Sequence, residues 1–250
     1  MIALQLYTLR RLLAEPDRIP DVLRRVREIG YPSVELAGLG PIAPDELARA
    51  LSGAGLSACA AHVPWQRMRE EPDRVIDECR LWGCSYAVVP MMPREYWSAE
   101  GFARFAGEAS DLAPRFEAAG LGLGYHNHSF ELQRFGAETG LATLLRTAPE
   151  LVAEIDTYWL QYGGASPAAW IRRLAGRVPL VHVKDMDVAE GRPVMAEVGE
   201  GNLEWPDLLA ACRESGTRWL VVEQDECRRD ELESVAISHR NLVAMGADGD

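Results

Sequence analysis

Five times in this chain an amphipathic stretch ends in glycine and a short apolar run begins at once. The junctions are VREIG-YPSVEL at Gly30, ECRLWG-CSYAVVP at Gly83, FEAAG-LGLGYHNH at Gly120, IRRLAG-RVPLVHVKD at Gly176 and CRESG-TRWLVVEQD at Gly216. A glycine just past a helix takes the left-handed conformation that closes the last turn without a Cβ clash. The runs that follow are rich in Val, Leu and Ile and lack strict alternation, as expected of strands covered on both faces in a parallel sheet. Carried along the chain, the pattern predicts strands near 2–7, 32–36, 56–63, 85–90, 121–126, 151–156, 178–184 and 218–223. Helices are predicted over 15–29, 44–53, 70–82, 98–119, 137–146, 167–175, 204–215 and 229–245. Eight strand–helix units in 250 residues, about 31 residues each, predict an α/β chain folded as one (β/α)8 TIM barrel over 1–250. A doubly wound open sheet is the competing fold, but QLYTLRR after the first strand has no glycine and hence no dinucleotide fingerprint.

The charge balance narrows the partners. Lys and Arg total 26 against 38 Asp and Glu, a net charge of −12. A general nucleic-acid binder needs a basic face to displace phosphate counterions, so that class is excluded, as is attachment to an anionic membrane surface. MIALQLYTLRR lacks the apolar core and cleavage site of a secretory signal, and no run approaches the roughly 18–20 apolar residues of a bilayer span. The five cysteines (Cys59, Cys79, Cys84, Cys212, Cys227) show no C-x-x-C spacing and read as reduced thiols of a cytoplasmic protein.

Chemistry in a parallel barrel gathers at the C-terminal ends of the strands, where the βα loops converge. Those ends carry Gln5, Tyr7 and Thr8; Glu35; His62; His126, Asn127, His128 and Glu131; Glu154 and Asp156; His182, Lys184 and Asp185; Glu223 and Asp225. Four of the five histidines, all but His239, fall there. Residues i and i+2 of a strand share a face, so His182 pairs with Lys184 and Glu154 with Asp156. A mixed oxygen and nitrogen donor set from successive strands suits a divalent ion, with Mn2+ favoured and Mg2+, Co2+ or Zn2+ as alternatives. By position its ligands are Asp156, His182, Glu223 and one of His126 or Glu131.

These residues resemble the xylose isomerase-like TIM-barrel superfamily, in particular its sugar phosphate isomerase/epimerase-type and inosose dehydratase-like members. The resemblance rests on QLYT, VEL at 34–36, AHVP at 61–64, GYHNHSFE at 124–131, EIDT at 154–157, HVKD at 182–185, GEGNLEW at 199–205 and VVEQD at 221–225. It implies one divalent metal held by Glu, Asp, His and Glu from strands five to eight. Here those are Asp156, His182 and Glu223, with Glu131 favoured over His126 as the strand-five ligand. Ketose 3-epimerases of similar pattern carry a His three residues after the metal Asp and an Arg six after the metal His. This chain has Trp159 and Val188 there. Endonuclease IV relatives need three zincs, which five histidines do not supply. Dimers and tetramers are common in the superfamily.

The expected reaction is isomerisation or epimerisation of a small sugar or keto-sugar, by proton abstraction beside a metal-polarised oxygen. Glu131 and Glu223 are cast as the acid/base carboxylates. Tyr7, Glu35, His62, His126, His128, Lys184 and Asp185 are the expected substrate contacts, Glu35 having an ion-pair role as its alternative. Arg228 and Arg229 are placed to meet a phosphate or merely to be solvated in the first turn of the last helix, and GEGNLE puts a carboxylate where a phosphate cradle would need none. An unphosphorylated sugar or inositol is therefore at least as well supported. A lyase or dehydratase shares the same residues, and a non-catalytic sugar-binding barrel is the reading from another class.

Overall fold

The structure, a computed structural model, describes residues 1–247. Eight parallel strands close into a barrel: β1 (Ile2–Gln5), β2 (Ser33–Leu36), β3 (Ser57–His62), β4 (Tyr86–Val89), β5 (Gly122–His126), β6 (Val152–Asp156), β7 (Leu180–Val183) and β8 (Trp219–Val222). Each strand pairs with its neighbours in sequence, and Ile2 lies opposite Leu220 where β1 meets β8. Helices follow the strands on the outside, the longest being Ala99–Ala118.

All five junction glycines have positive φ. Gly83, at φ 76°, ends the helix Pro72–Trp82 by donating its N–H to the carbonyls of Arg80 and Cys79. Cys84 then turns into β4. An L-residue would be strained in that conformation, which is why the helix-to-strand turns recur at glycine.

Strand alternation sorts the interior. Along β7, Leu180 faces the barrel axis with a small inner cluster of Ala3, Cys59, Ala60, Val88 and Val221. Val181 and Val183 face the helices in the main core. Ala153 and Ile155 of β6 likewise pack outward, leaving Glu154 and Asp156 to the axis. Apolar side chains thus plug the N-terminal half of the barrel, and polar side chains occupy its C-terminal half in two stacked layers.

The boundaries differ from expectation in a few places. The predicted helix 70–82 forms as Pro72–Trp82, and a separate short helix, Trp65–Glu70, precedes it. Strand one ends at Gln5, and Tyr7 and Thr8 lie on the 3-10 turn Leu6–Leu9. Features without a sequence counterpart include the short helix Thr157–Tyr162 and two antiparallel pairs, Asp185–Ala189 with Arg192–Ala196 and Arg134–Phe135 with Glu138–Thr139. Among the described residues no helix is long and apolar enough to cross a membrane.

Candidate metal centre and cleft

Asp156 and His182 are register partners on adjacent strands, and Glu223 follows β8 directly. Together with His126 at the end of β5 they form a buried quartet whose donor atoms all lie within 4.8 Å of one another. The local chain fixes each donor. Asp156 caps the helix Thr157–Tyr162, its Oδ1 accepting the Trp159 N–H at 2.8 Å, while its backbone N–H donates to Asn127 Oδ1 at 3.1 Å. That leaves Oδ2 facing His126 Nε2 at 3.2 Å. The His126 Nδ1–H donates to the Pro90 carbonyl at 3.1 Å, which turns Nε2 into the quartet. The two nitrogens of His182 face different layers: Nδ1 lies 2.7 Å from Glu223 Oε2, and Nε2 lies 2.6 Å from Glu35 Oε2.

Beneath the quartet, Glu35, His62 and Glu154 meet the same His182 ring. His62 Nε2 is 2.6 Å from Glu154 Oε2, and Gln5 Nε2 donates to Glu35 Oε2 at 2.8 Å. Burial, then the neighbouring Glu154 charge, raises the Glu35 carboxyl above the ordinary range. For His62 burial works the other way, but the carboxylates of Glu35 and Glu154 outweigh it and raise its pKa.

The Lys184 ammonium is buried among three carboxylates, 2.7 Å from Glu223, 2.8 Å from Asp225 and 3.1 Å from Asp156. Burial disfavours its charge, yet those carboxylates hold its pKa well above the ordinary lysine value. Burial raises and Lys184 and His182 lower the Glu223 carboxyl, which ends well below the usual range. Asp225 was named above only as a strand-end residue. Its position two residues after Glu223 is the signal that would have added it to the site.

A cleft of about 380 Å3 opens above this floor, lined by Tyr7, His62, His126, His128, Glu223 and Asp225, with Ala37, Gly38, Pro64, Pro90 and Met91 forming an apolar wall. Tyr7, Glu35, His62, His126, His128 and Lys184 thus all stand in or directly under the cleft. The His128 ring has a buried Nδ1 with no hydrogen-bond partner. Burial, reinforced by the charges of His126 and Lys184, pushes its pKa down to about 3, so the ring is neutral at pH 7. Trp159 packs 5.5 Å from this ring, and Val188 is exposed on the added hairpin.

Two expectations differ from the structure. Glu131 does not reach the quartet: it is wholly buried, Oε1 accepting the Tyr125 hydroxyl at 2.8 Å and Oε2 the His128 backbone N–H at 3.0 Å. Burial outweighs these hydrogen bonds and pushes its carboxyl up to about 8. His126 is the strand-five side chain that stands with Asp156, His182 and Glu223. Asp185 also turns away from the cleft. Its two oxygens accept the backbone N–H groups of Met186, Gly199, Gly201 and Leu203 and the Trp205 indole N–H, at 2.6–3.2 Å. A Cβ on Gly201 would lie 2.3 Å from Asp185 Oδ1, so the GEGNLEW segment wraps a carboxylate rather than a phosphate. Arg228 and Arg229 are spent on Asp187, Glu197 and Glu200. Trp65 and Trp205 are core residues, and Trp97 stacks on Phe130 at 3.7 Å.

Comparison with known proteins places this arrangement. The rhizopine catabolism protein MocC of Rhizobium meliloti is 26% identical over 270 residues, covering 92% of this chain and 82% of that protein. Among solved structures, a sugar phosphate isomerase/epimerase from Parabacteroides distasonis superposes with a TM-score of 0.82 at 22% identity, covering 97% of each chain. An L-ribulose 3-epimerase superposes with a TM-score of 0.74 at 18% identity, covering 98% of this chain and 93% of that one. These structural likenesses are likenesses of fold. The profile of the xylose isomerase-like TIM barrel family matches residues 23–241, and the chain belongs to that family.

Proposed function

We propose that the protein is a divalent-metal-dependent isomerase or epimerase of a small, unphosphorylated sugar or keto-sugar. The observation that carries the reading is the buried quartet of His126, Asp156, His182 and Glu223 at the floor of a sugar-sized cleft. Two imidazoles and two carboxylates fit a transition-type ion such as Mn2+, Co2+ or Zn2+ better than an all-oxygen ion. When bound, that ion polarises a substrate oxygen and acidifies the adjacent C–H.

The chain's own residues supply the rest. Glu223, which reaches the cleft and is held ionised, is the carboxylate that takes or returns a substrate proton. Neutral His128, which lines the cleft, replaces Glu131 as the second group in contact with substrate. Glu131 acts through it, fixing the His128 backbone. Tyr7 and Asp225 bind hydroxyls at the rim. The apolar wall of Pro64, Pro90 and Met91 excludes water beside the reacting carbon. No Lys or Arg lines the cleft, which supports an uncharged substrate.

Dehydration is the second reading, since proton abstraction by Glu223 in the same cleft is also the first step in expelling a β-hydroxyl. The test is a metal-supplemented screen of ketoses, keto-sugars and inososes in deuterium oxide. Deuterium in recovered sugar marks isomerisation or epimerisation, and deuterium with loss of water marks dehydration. Absence of exchange with every substrate, in protein that retains its metal, would contradict both.

A further inference from the structure

We propose that Glu35, His62, Glu154 and His182 form a second divalent-cation site directly beneath the first, with the His182 imidazole shared between the two. The proposal rests on the metal reading of the upper quartet.

The four donors alternate nitrogen and oxygen around a closed ring. His62 Nε2 lies 2.6 Å from Glu154 Oε2, which lies 3.3 Å from His182 Nε2. His182 Nε2 lies 2.6 Å from Glu35 Oε2, and Glu35 Oε1 closes the ring 3.5 Å from His62 Nε2. Donors bonded to one cation at about 2.0–2.2 Å stand about 3.0–3.5 Å from one another, so a small outward relaxation of the two short edges accommodates an ion.

Independent of that spacing, two oxygens point to a missing partner. Glu35 Oε1 and Glu154 Oε1 are buried and accept no hydrogen bond, on side chains with no exposed surface. Gln5 and His182 meet Glu35 at Oε2, and His62 and His182 meet Glu154 at Oε2, so each carboxylate keeps one oxygen without a donor, whereas Lys184 is committed to Asp156, Glu223 and Asp225. Two adjacent buried carboxylates are costly unless positive charge stands between them, a place the two imidazoles hold and a cation would take over. His62 lines the cleft with 8% of its side chain exposed, which gives the ion a route to the site. Two imidazoles with two carboxylates select Zn2+, Mn2+ or Co2+ over Mg2+ or Ca2+. On binding, the two short hydrogen bonds give way to ligation. His62 gives up its Nε2 proton and keeps the hydrogen on Nδ1, and His182, ligating through both nitrogens as an imidazolate, releases both ring protons to solvent.

Elemental analysis after equilibration with Mn2+ or Zn2+ and gel filtration tests this on the full chain. The wild type is expected to hold two ions per chain, and Glu154→Gln and His62→Gln one each, with circular dichroism showing an intact fold. Spin coupling between two Mn2+ ions, read by electron paramagnetic resonance, should vanish in both variants. Should Glu154→Gln fail to fold, His62→Gln carries the test, since its ring already borders solvent. One ion in the wild type, kept in Glu154→Gln and His62→Gln but lost in Glu223→Gln, overturns the lower site and leaves the upper one standing. One ion lost in Glu154→Gln but kept in Glu223→Gln supports the lower site and overturns the upper. Two ions in both lower-layer variants overturn the proposal, and no ion in any protein overturns both sites.

Discussion

His126 donates its Nδ1–H to the carbonyl of Pro90 at 3.1 Å, and this one bond decides which nitrogen faces the quartet. A carbonyl can only accept, so Nδ1 carries the proton there and Nε2 is the atom turned toward Asp156 Oδ2. Replacing His126 by Ala is expected to weaken divalent-metal binding at the upper site by at least 10–100-fold, the scale on which even supporting groups act. Glu131→Gln, by contrast, should leave the number of bound ions unchanged. Competition against a chromogenic chelator measures both.

Glu131 should reveal itself through pH-dependent stability instead. Its folded pKa is raised from 4.5 to about 8. The folded state therefore holds a proton that the unfolded chain has already released between these values. Its favourable contribution is complete below about pH 4.5 and is lost as pH rises toward 8. Urea denaturation at pH 5 and pH 8 should show the wild type losing on the order of 2–4 kcal/mol relative to Glu131→Gln over that interval. Parallel stability profiles for the two proteins would contradict the buried-acid assignment.

Asp185 is a structural anchor. Asp185→Ala strands four backbone N–H groups and the Trp205 indole, at a cost of roughly 3–5 kcal/mol. The expected signature is a lower melting temperature with KM unchanged in the protein that remains folded. A raised KM without loss of stability would return Asp185 to the substrate site.

The contrast between these residues shows where sequence reasoning stops. Glycine-closed helices followed by Val-rich runs specify the barrel locally, because helix caps and strand burial depend on near neighbours, and the eight predicted strands all form. Strand-end position likewise gathers Asp156, His182 and Glu223, since period-two alternation dictates their face. Glu131 and Asp185 stand at equally suggestive positions, but their orientation is set by other partners. The Tyr125 hydroxyl captures one, and a loop some 14–20 residues downstream captures the other. The helix Thr157–Tyr162 was hidden for a related reason: it begins on the Asp156 cap, and Asp156 also reads as a metal ligand.

Lys184 competes with metal for the same carboxylates. Lys184→Met removes that positive charge and should tighten divalent-metal binding by about tenfold. Isothermal titration of Mn2+ into both proteins measures the change. Weaker metal binding in Lys184→Met would mean that the lysine organises the ligands rather than opposing the ion.

A metal held by His126, Asp156, His182 and Glu223 is expected to drive proton exchange on a sugar. Solvent deuterium wash-in, followed by mass spectrometry on keto-sugars incubated with Mn2+-loaded protein, measures that exchange. One deuterium is expected on the carbon beside the carbonyl with the wild type, and none with Glu223→Gln. Full exchange by metal-loaded Glu223→Gln, or undiminished exchange by wild type stripped of its metal, would rule out this role for the quartet.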